Sequence, residues 1–147
     1  MPDELTAEAS VVIDVPAEEV WGGLTNPDLI KQYMFGATVA SDWHEGSPIT
    51  WSGEWQGRPY QDKGVILEFS PHARLRYTHF SPLTGQFDAP ENYHTVTVHL
   101  QGEGNWTRVD LAQNNNATAE ERDHSQENWE LMLSSLKALL EQPKDPV

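Results

Sequence analysis

Hydrophobic and polar residues alternate in short runs over most of the chain, a pattern that indicates β-strands. The clearest run covers residues 48–55, in which Ile49, Trp51 and Trp55 share one face. Similar runs predict strands over residues 7–15, 37–40, 64–69, 74–80, 93–101 and 106–112. Six or seven consecutive strands joined by short links favour an antiparallel sheet.

The pattern changes to a helical period at two places. After the first strand, Pro16 and the Asn26-Pro27 pair each suit the start of a short helix. Near the end, Thr118 and Glu121 have the spacing of a capping box, and a long helix is predicted from there to about residue 142. Its apolar positions keep to one face; they are Trp129, Met132, Leu133, Leu136, Leu139 and Leu140.

Composition narrows the function classes. The 147 residues carry a net charge of -14, which argues against binding of nucleic acid or of anionic membrane surfaces. The chain has no Cys, so disulfides, Cys-ligated zinc and thiol nucleophiles are excluded. The sequence shows no signal peptide and no membrane span, so we expect a cytoplasmic protein. We expect one domain over residues 1–147, with a core over 7–142 and flexible ends at 1–6 and 143–147.

Several stretches resemble one known family when taken in order. They are residues 15–21 (VPAEEVW), residues 24–34 (LTNPDLIKQYM), the hairpin over residues 64–78, and the helical segment around Asn128, Trp129 and Glu130. This set resembles the START-like, or SRPBCC, superfamily, and most closely the branch homologous to the C-terminal domain of the activator of heat-shock protein 90 ATPase. Residues 45–49 (EGSPI) depart from the family's usual glycine pair and Arg.

The resemblance implies an α+β helix-grip fold, like that of the birch pollen allergen. In this fold a curved antiparallel sheet wraps around the long C-terminal helix, and two short helices follow the first strand. It also implies a central cavity, which inward-facing side chains would line. The candidate ligand-binding residues are Trp21, Tyr33, Phe35, Trp51, Trp55, Phe69, Tyr77, His79, His94, Trp129, Met132, Leu133 and Leu136. The alternative for each aromatic residue is ordinary packing in a core.

The polar candidates within this set are Tyr77, His79 and His94, which could hydrogen-bond a ligand or move a proton. The alternative for each His is a strand-end side chain that reaches solvent or a backbone carbonyl. The six His residues show no metal-ligand spacing, so we expect no metal site. We assign the carboxylates Glu54, Asp62 and Glu68 to the outward, solvated face of the sheet. Phe69 shares a face with Val65 and Leu67 in this interpretation.

The leading hypothesis is binding of a small apolar or amphipathic molecule in a cavity between the sheet and the C-terminal helix, without chemistry or a cofactor. One alternative is a co-chaperone that activates heat-shock protein 90 and has a chaperone as its partner. Another is a cyclase- or hydratase-type enzyme that uses His79, Tyr77 or His94. A monomer or a homodimer fits the sequence, since the sheet has exposed edges.

Overall fold

A seven-stranded antiparallel sheet forms the frame of the molecule. The computed structural model describes residues 5–34, 36–82 and 85–142. The strands are β1 (Ala7–Ile13), β2 (Thr38–Ser41), β3 (Pro48–Trp55), β4 (Arg58–Ser70), β5 (Arg74–His79), β6 (His94–Glu103) and β7 (Trp106–Gln113). Their order in the sheet is β1-β7-β6-β5-β4-β3-β2, so every strand after β1 pairs with its neighbour in the sequence, and β1 joins β7.

The long helix α3 (Ala119–Leu140) lies against one face of this sheet and packs on β1. Leu133 and Leu136 are its buried side chains, and they join a core to which all seven strands and both short helices contribute. Near its end, the Lys137 ammonium donates to the Val12 carbonyl, and Glu141 accepts from the Asp14 N–H. The predicted α+β helix-grip fold is therefore confirmed, with a sheet that curves around the C-terminal helix.

Two short helices, α1 (Ala17–Thr25) and α2 (Pro27–Tyr33), connect β1 to β2. Asn26 caps α2 as predicted, since its side-chain oxygen accepts from the Asp28 N–H at 2.9 Å. The Tyr33 hydroxyl donates to the Gly23 carbonyl at 2.7 Å and so ties α2 to α1. A side chain at position 23 would clash, because an added Cβ would lie 2.8 Å from a methyl carbon of Leu136.

The predicted capping box at the start of α3 is present in a modified form. The Thr118 hydroxyl accepts from the Glu121 N–H at 3.0 Å. The Glu121 carboxylate reaches back to the Ala117 N–H rather than to that of Thr118. Both contacts satisfy N–H groups that a helix start leaves without a partner.

The strand β4 begins six residues earlier than its predicted start at residue 64. Gln56 and Gly57 both have positive φ, 52° and 80°, and they form a two-residue turn between β3 and β4. Arg58 and Pro59 lie outside the predicted strands, but they already pair with Trp55 and Glu54. The pattern was misleading because Pro usually interrupts a strand.

An irregularity in β4 also changes which side chains face the core. The register against β5 shifts between Ile66 and Glu68. Ile66 is 1% exposed, whereas Val65 and Leu67 are 40% and 41% exposed, so they do not share the face of Phe69. One extra residue at a bulge reverses the alternation beyond it. Our assignment of Asp62 to the solvated face was therefore wrong, because Asp62 lies four residues from Ile66 on the inward face.

Candidate functional site

The space between the sheet and α3 divides into two parts. One part, which we call the apolar end, is nearly filled and leaves a cavity of about 30 Å³ among aliphatic and aromatic side chains. The other, which we call the open pocket, has a volume of about 300 Å³. Both parts share five lining residues, Met34, Trp51, Tyr77, Trp129 and Met132.

The sequence of α3 accounts for the difference between the two parts. Its C-terminal half places Leu133 and Leu136 against the sheet, and these two residues line the apolar end. Its N-terminal half places Ser125 and Asn128 beside the open pocket. Shorter, polar side chains cannot fill the space that leucines fill, so the gap between helix and sheet stays open there.

Aromatic side chains from β3 and β5, the strands on either side of β4, form the wall of the open pocket. The ring of Trp51 on β3 lies 5.2 Å from that of Tyr77 and 5.1 Å from the imidazole of His79, measured between centroids. Tyr77 and His79 are two residues apart on β5, so they point to the same side of the sheet. Burial raises the pKa of the Tyr77 hydroxyl well above its usual range, so this hydroxyl stays neutral.

A network of polar side chains joins α3 to β7 at one side of the open pocket. The Trp129 indole N–H donates to the Gln113 side-chain oxygen at 2.7 Å. The Gln113 amide donates to Asn116 at 3.2 Å and to Ser125 at 3.3 Å. Gln113 and Asn116 are buried, and these hydrogen bonds compensate for their removal from water.

A second polar group, Asp62 with His79, lies on the sheet side of the open pocket. Asp62 on β4 stands directly opposite Trp51 on β3. Its Oδ2 lies 2.8 Å from Nε2 of His79, and the Asp62 side chain is only 15% exposed. Its Oδ1 is buried, and it is the one buried side-chain polar atom in the described part of the chain without a hydrogen-bond partner. A buried acceptor without a donor is unfavourable, and such groups are rare.

Tyr60 lies two residues before Asp62 and also lines the open pocket. Its ring lies over Gly53, the residue opposite it on β3, where any side chain would meet the ring within about 3 Å. Partial burial, together with the nearby Asp62 carboxylate, raises the pKa of the Tyr60 hydroxyl. Tyr60 is thus a neutral donor at the same side of the pocket as the carboxylate.

Eight of the predicted ligand-binding residues line the two parts of this space. They are Tyr33, Trp51, Tyr77, His79, Trp129, Met132, Leu133 and Leu136. The ring centroids of Trp21 and Phe69 lie 5.2 Å apart within the core, and neither residue lines the apolar end or the open pocket. Phe35 lies outside the described residues, and the side chain of Trp55 is not described. A role in binding stays a prediction for all of them.

The structure does not bring His94 into the open pocket with His79. The two rings stack with their centroids 6.4 Å apart. However, Nδ1 of His94 lies 2.9 Å from the Asn114 carbonyl oxygen, and its Nε2 lies 3.8 Å from the Glu121 carboxylate. His94 therefore matches the alternative given above, in which a His at a strand end reaches a backbone carbonyl. The two imidazoles therefore do not converge on a common point in the pocket.

Several residues that line the space were not predicted from the sequence, namely Trp43, Tyr60, Asp62, Gln113, Ser125 and Asn128. Asp62 and Tyr60 were missed because β4 was predicted to be too short. The turn residues Gln56-Gly57 were the available signal for its true start. The three polar residues Gln113, Ser125 and Asn128 carry no signal of their own, since such residues are common on any surface.

Metal ligation and membrane insertion find no support in the described residues. They contain no group of three or more His, Asp or Glu side chains that could hold a metal ion. None of the helices in this part of the chain combines the length and apolar character that a membrane-spanning helix needs.

Comparison with known families and structures gives a consistent result. Residues 14–141 match the family described as Activator of Hsp90 ATPase homolog 1-like protein. The solution structure of ChR145 from Cytophaga hutchinsonii is 52% identical over 96% of this chain and 97% of that chain, with a TM-score of 0.83. No protein with a curated function matches the sequence significantly.

Two more distant structures share the fold. The Aha1 dimer from Colwellia psychrerythraea is 20% identical, with 95% of this chain and 98% of that chain covered and a TM-score of 0.73. DynU16, a putative protein in the dynemicin biosynthetic locus, is 18% identical, with 96% of this chain but 48% of that chain covered and a TM-score of 0.78. At these identities the similarity shows the fold alone.

Proposed function

The chain belongs to the family of Activator of Hsp90 ATPase homolog 1-like proteins, and we propose that it binds a small amphipathic molecule in the open pocket. The observation that carries this proposal is the space of about 300 Å³ between the sheet and the N-terminal half of α3. This volume is at the lower end of the range for ligand sites in proteins.

The lining of the open pocket supports an amphipathic rather than a purely apolar ligand. Trp51, Trp129 and Met132 offer an apolar surface, while Asp62 and His79 offer polar groups on the sheet side. Ligand sites typically combine such a mostly apolar wall with a few polar groups that fix the orientation of the ligand.

Isothermal titration calorimetry with 1-octanol tests this proposal, since this probe has an apolar chain and one small polar group. We expect saturable binding to the wild-type protein. Met132→Trp adds bulk to the wall of the pocket and should weaken binding about tenfold or more, because the larger ring occupies the space of the ligand.

Leu131→Trp is the matched control, because Leu131 precedes Met132 on α3 and is 54% exposed. This variant should bind 1-octanol as the wild type does. Absence of saturable binding to the wild type, or equal binding by the two Trp variants, would contradict the proposal.

A second candidate function is activation of the Hsp90 ATPase, which the description of the matching family favours. The rate of ATP hydrolysis by Hsp90 with and without this protein tests it. A rise that saturates with the concentration of this protein would support activation, and an unchanged rate would exclude it under those conditions. The Met132→Trp variant then shows whether activation depends on the open pocket.

A further inference from the structure

We infer that the open pocket prefers amphipathic molecules whose polar group is a protonated amine, with the Asp62 carboxylate as its counter-ion. This inference rests on the proposed function, because it specifies the ligand class of the same pocket. It draws on three features of the pocket: an incompletely bonded carboxylate, a lining that includes no Lys or Arg among the described residues, and walls rich in aromatic rings.

The hydrogen bonds of Asp62 are incomplete. A carboxylate can only accept hydrogen bonds, so the contact with His79 has Nε2–H as the donor to Oδ2, whether the imidazole is neutral or charged. Oδ1 has no donor among the described residues. The torsion of a carboxylate about Cβ–Cγ is broad, so a donor in the pocket can reach either oxygen after a small rotation. A bound amine would supply the missing hydrogen bond.

The charges around Asp62 favour a cationic donor over a neutral or anionic one. No Lys or Arg is among the described residues that line the open pocket. The neighbouring Lys63 is paired with Asp88, outside this lining. The whole chain has a net charge of -14, which raises the local concentration of cations. A charge-assisted hydrogen bond to a carboxylate is also stronger than a neutral one.

The aromatic walls add a second attraction for a cation. Trp51, Tyr77 and Trp129 line the pocket together with Asp62. The faces of aromatic rings carry partial negative charge and attract ammonium groups, most strongly where water is excluded. The same rings provide the apolar surface for the body of the ligand, so both parts of an amine-bearing amphiphile find a partner.

Calorimetry with three probes of equal chain length tests the inference: octylamine, 1-octanol and octanoate. At neutral pH the first carries a positive charge and the last a negative charge. Salt at about 0.15 M screens nonspecific attraction to the acidic surface. We expect octylamine to bind the wild type about tenfold or more tightly than 1-octanol, and octanoate to bind more weakly than both.

The matched pair of variants is Asp62→Asn and Glu68→Gln, two carboxylates on β4 of which only Asp62 lines the open pocket. Asp62→Asn should reduce the preference for octylamine to about threefold or less while 1-octanol still binds. Glu68→Gln should keep the full preference. If Asp62→Asn fails to fold, the inference is still overturned when octylamine binds the wild type no more tightly than 1-octanol.

The possible outcomes distinguish failure of this inference from failure of the proposed function. If 1-octanol binds and octylamine binds no more tightly, the pocket is a ligand site but the inference is wrong. If octanoate binds most tightly, the inference is also wrong. If none of the probes binds, the proposed function itself fails. If octylamine is preferred equally by both variants, the attraction comes from the surface charge and not from Asp62.

Discussion

The two halves of α3 face the same sheet, but only one of them closes against it. In the C-terminal half, Leu133 and Leu136 are 4% and 0% exposed, and the remaining cavity is about 30 Å³. In the N-terminal half, Ser125 and Asn128 border a pocket of about 300 Å³. One helix thus serves as a core element at one end and as the wall of a pocket at the other.

The comparison shows how this fold can keep a pocket without losing its stability. The apolar end has the dense packing of a core, and there side chains from the sheet meet those of α3. The open pocket is supported instead by hydrogen bonds that Trp129 donates to Gln113 and His79 donates to Asp62. Substitutions at the apolar end should therefore cost more stability than substitutions in the open pocket.

Leu136→Ala should have the largest effect. Leu136 is fully buried, and its removal leaves a cavity next to one that already exists. We expect the free energy of unfolding to fall by about 2–5 kcal/mol, measured by urea denaturation. Leu131→Ala on the exposed side of α3 is the control and should cost less than about 0.5 kcal/mol. Equal losses for both would mean that α3 does not pack as described.

Gln113→Ala should have a smaller effect on stability. It removes the acceptor of the Trp129 indole N–H and a donor to Asn116 and Ser125. Polar groups that lose a buried partner cost about 1–3 kcal/mol, which we expect as the loss in urea denaturation. The exposed Gln101 on β6 provides the control, and its replacement by Ala should be nearly neutral.

Asp62→Asn should change stability by less than about 1 kcal/mol, although its side chain is 15% exposed. The amide oxygen can still accept from His79, and the charge that one buried oxygen holds without a donor is removed. A loss of about 3 kcal/mol or more would instead show that Asp62 and His79 form a structural ion pair, since breaking such a pair is costly. That result would mean that the Asp62 carboxylate stabilises the fold and is not available to bind a ligand.

Glu141→Gln should have the smallest effect and should depend on pH. The Lys137 ammonium and then the Asp14 N–H hold the pKa of Glu141 below its usual range. A lowered pKa in the folded state stabilises the protein above the unfolded-state pKa, and this contribution is lost as the pH falls through the folded-state pKa. The wild type should therefore exceed the variant in urea midpoint at neutral pH, and the difference should vanish in acid.

The matching control is Glu130→Gln, at an exposed position on α3, the helix that Glu141 follows. For this variant, the difference in urea midpoint from the wild type should be nearly the same at neutral and at acidic pH. A difference between wild type and Glu141→Gln that grows in acid would contradict the assigned hydrogen bonds.

The apolar end could be predicted from the sequence, whereas much of the open pocket could not. The spacing of Leu133 and Leu136, and the alternation around Trp51, follow from regular helix and strand periods, which the structure retains. Asp62 belongs to β4 because a tight turn lets Pro59 enter the strand. Its face could not be inferred from Phe69, because the bulge after Ile66 reverses the alternation between the two residues, and alternation alone cannot reveal a bulge.

The most direct test of the central claim is an NMR titration of the ¹⁵N-labelled protein with 1-octanol. We expect the largest shift changes at the Trp129 indole N–H and the Gln113 side-chain amide, and at the backbone N–H groups of Asp62 and His79. The backbone signals of Leu136 and the exposed face of β6 should change little. Shifts spread evenly over the surface, or confined to the apolar end, would contradict the account.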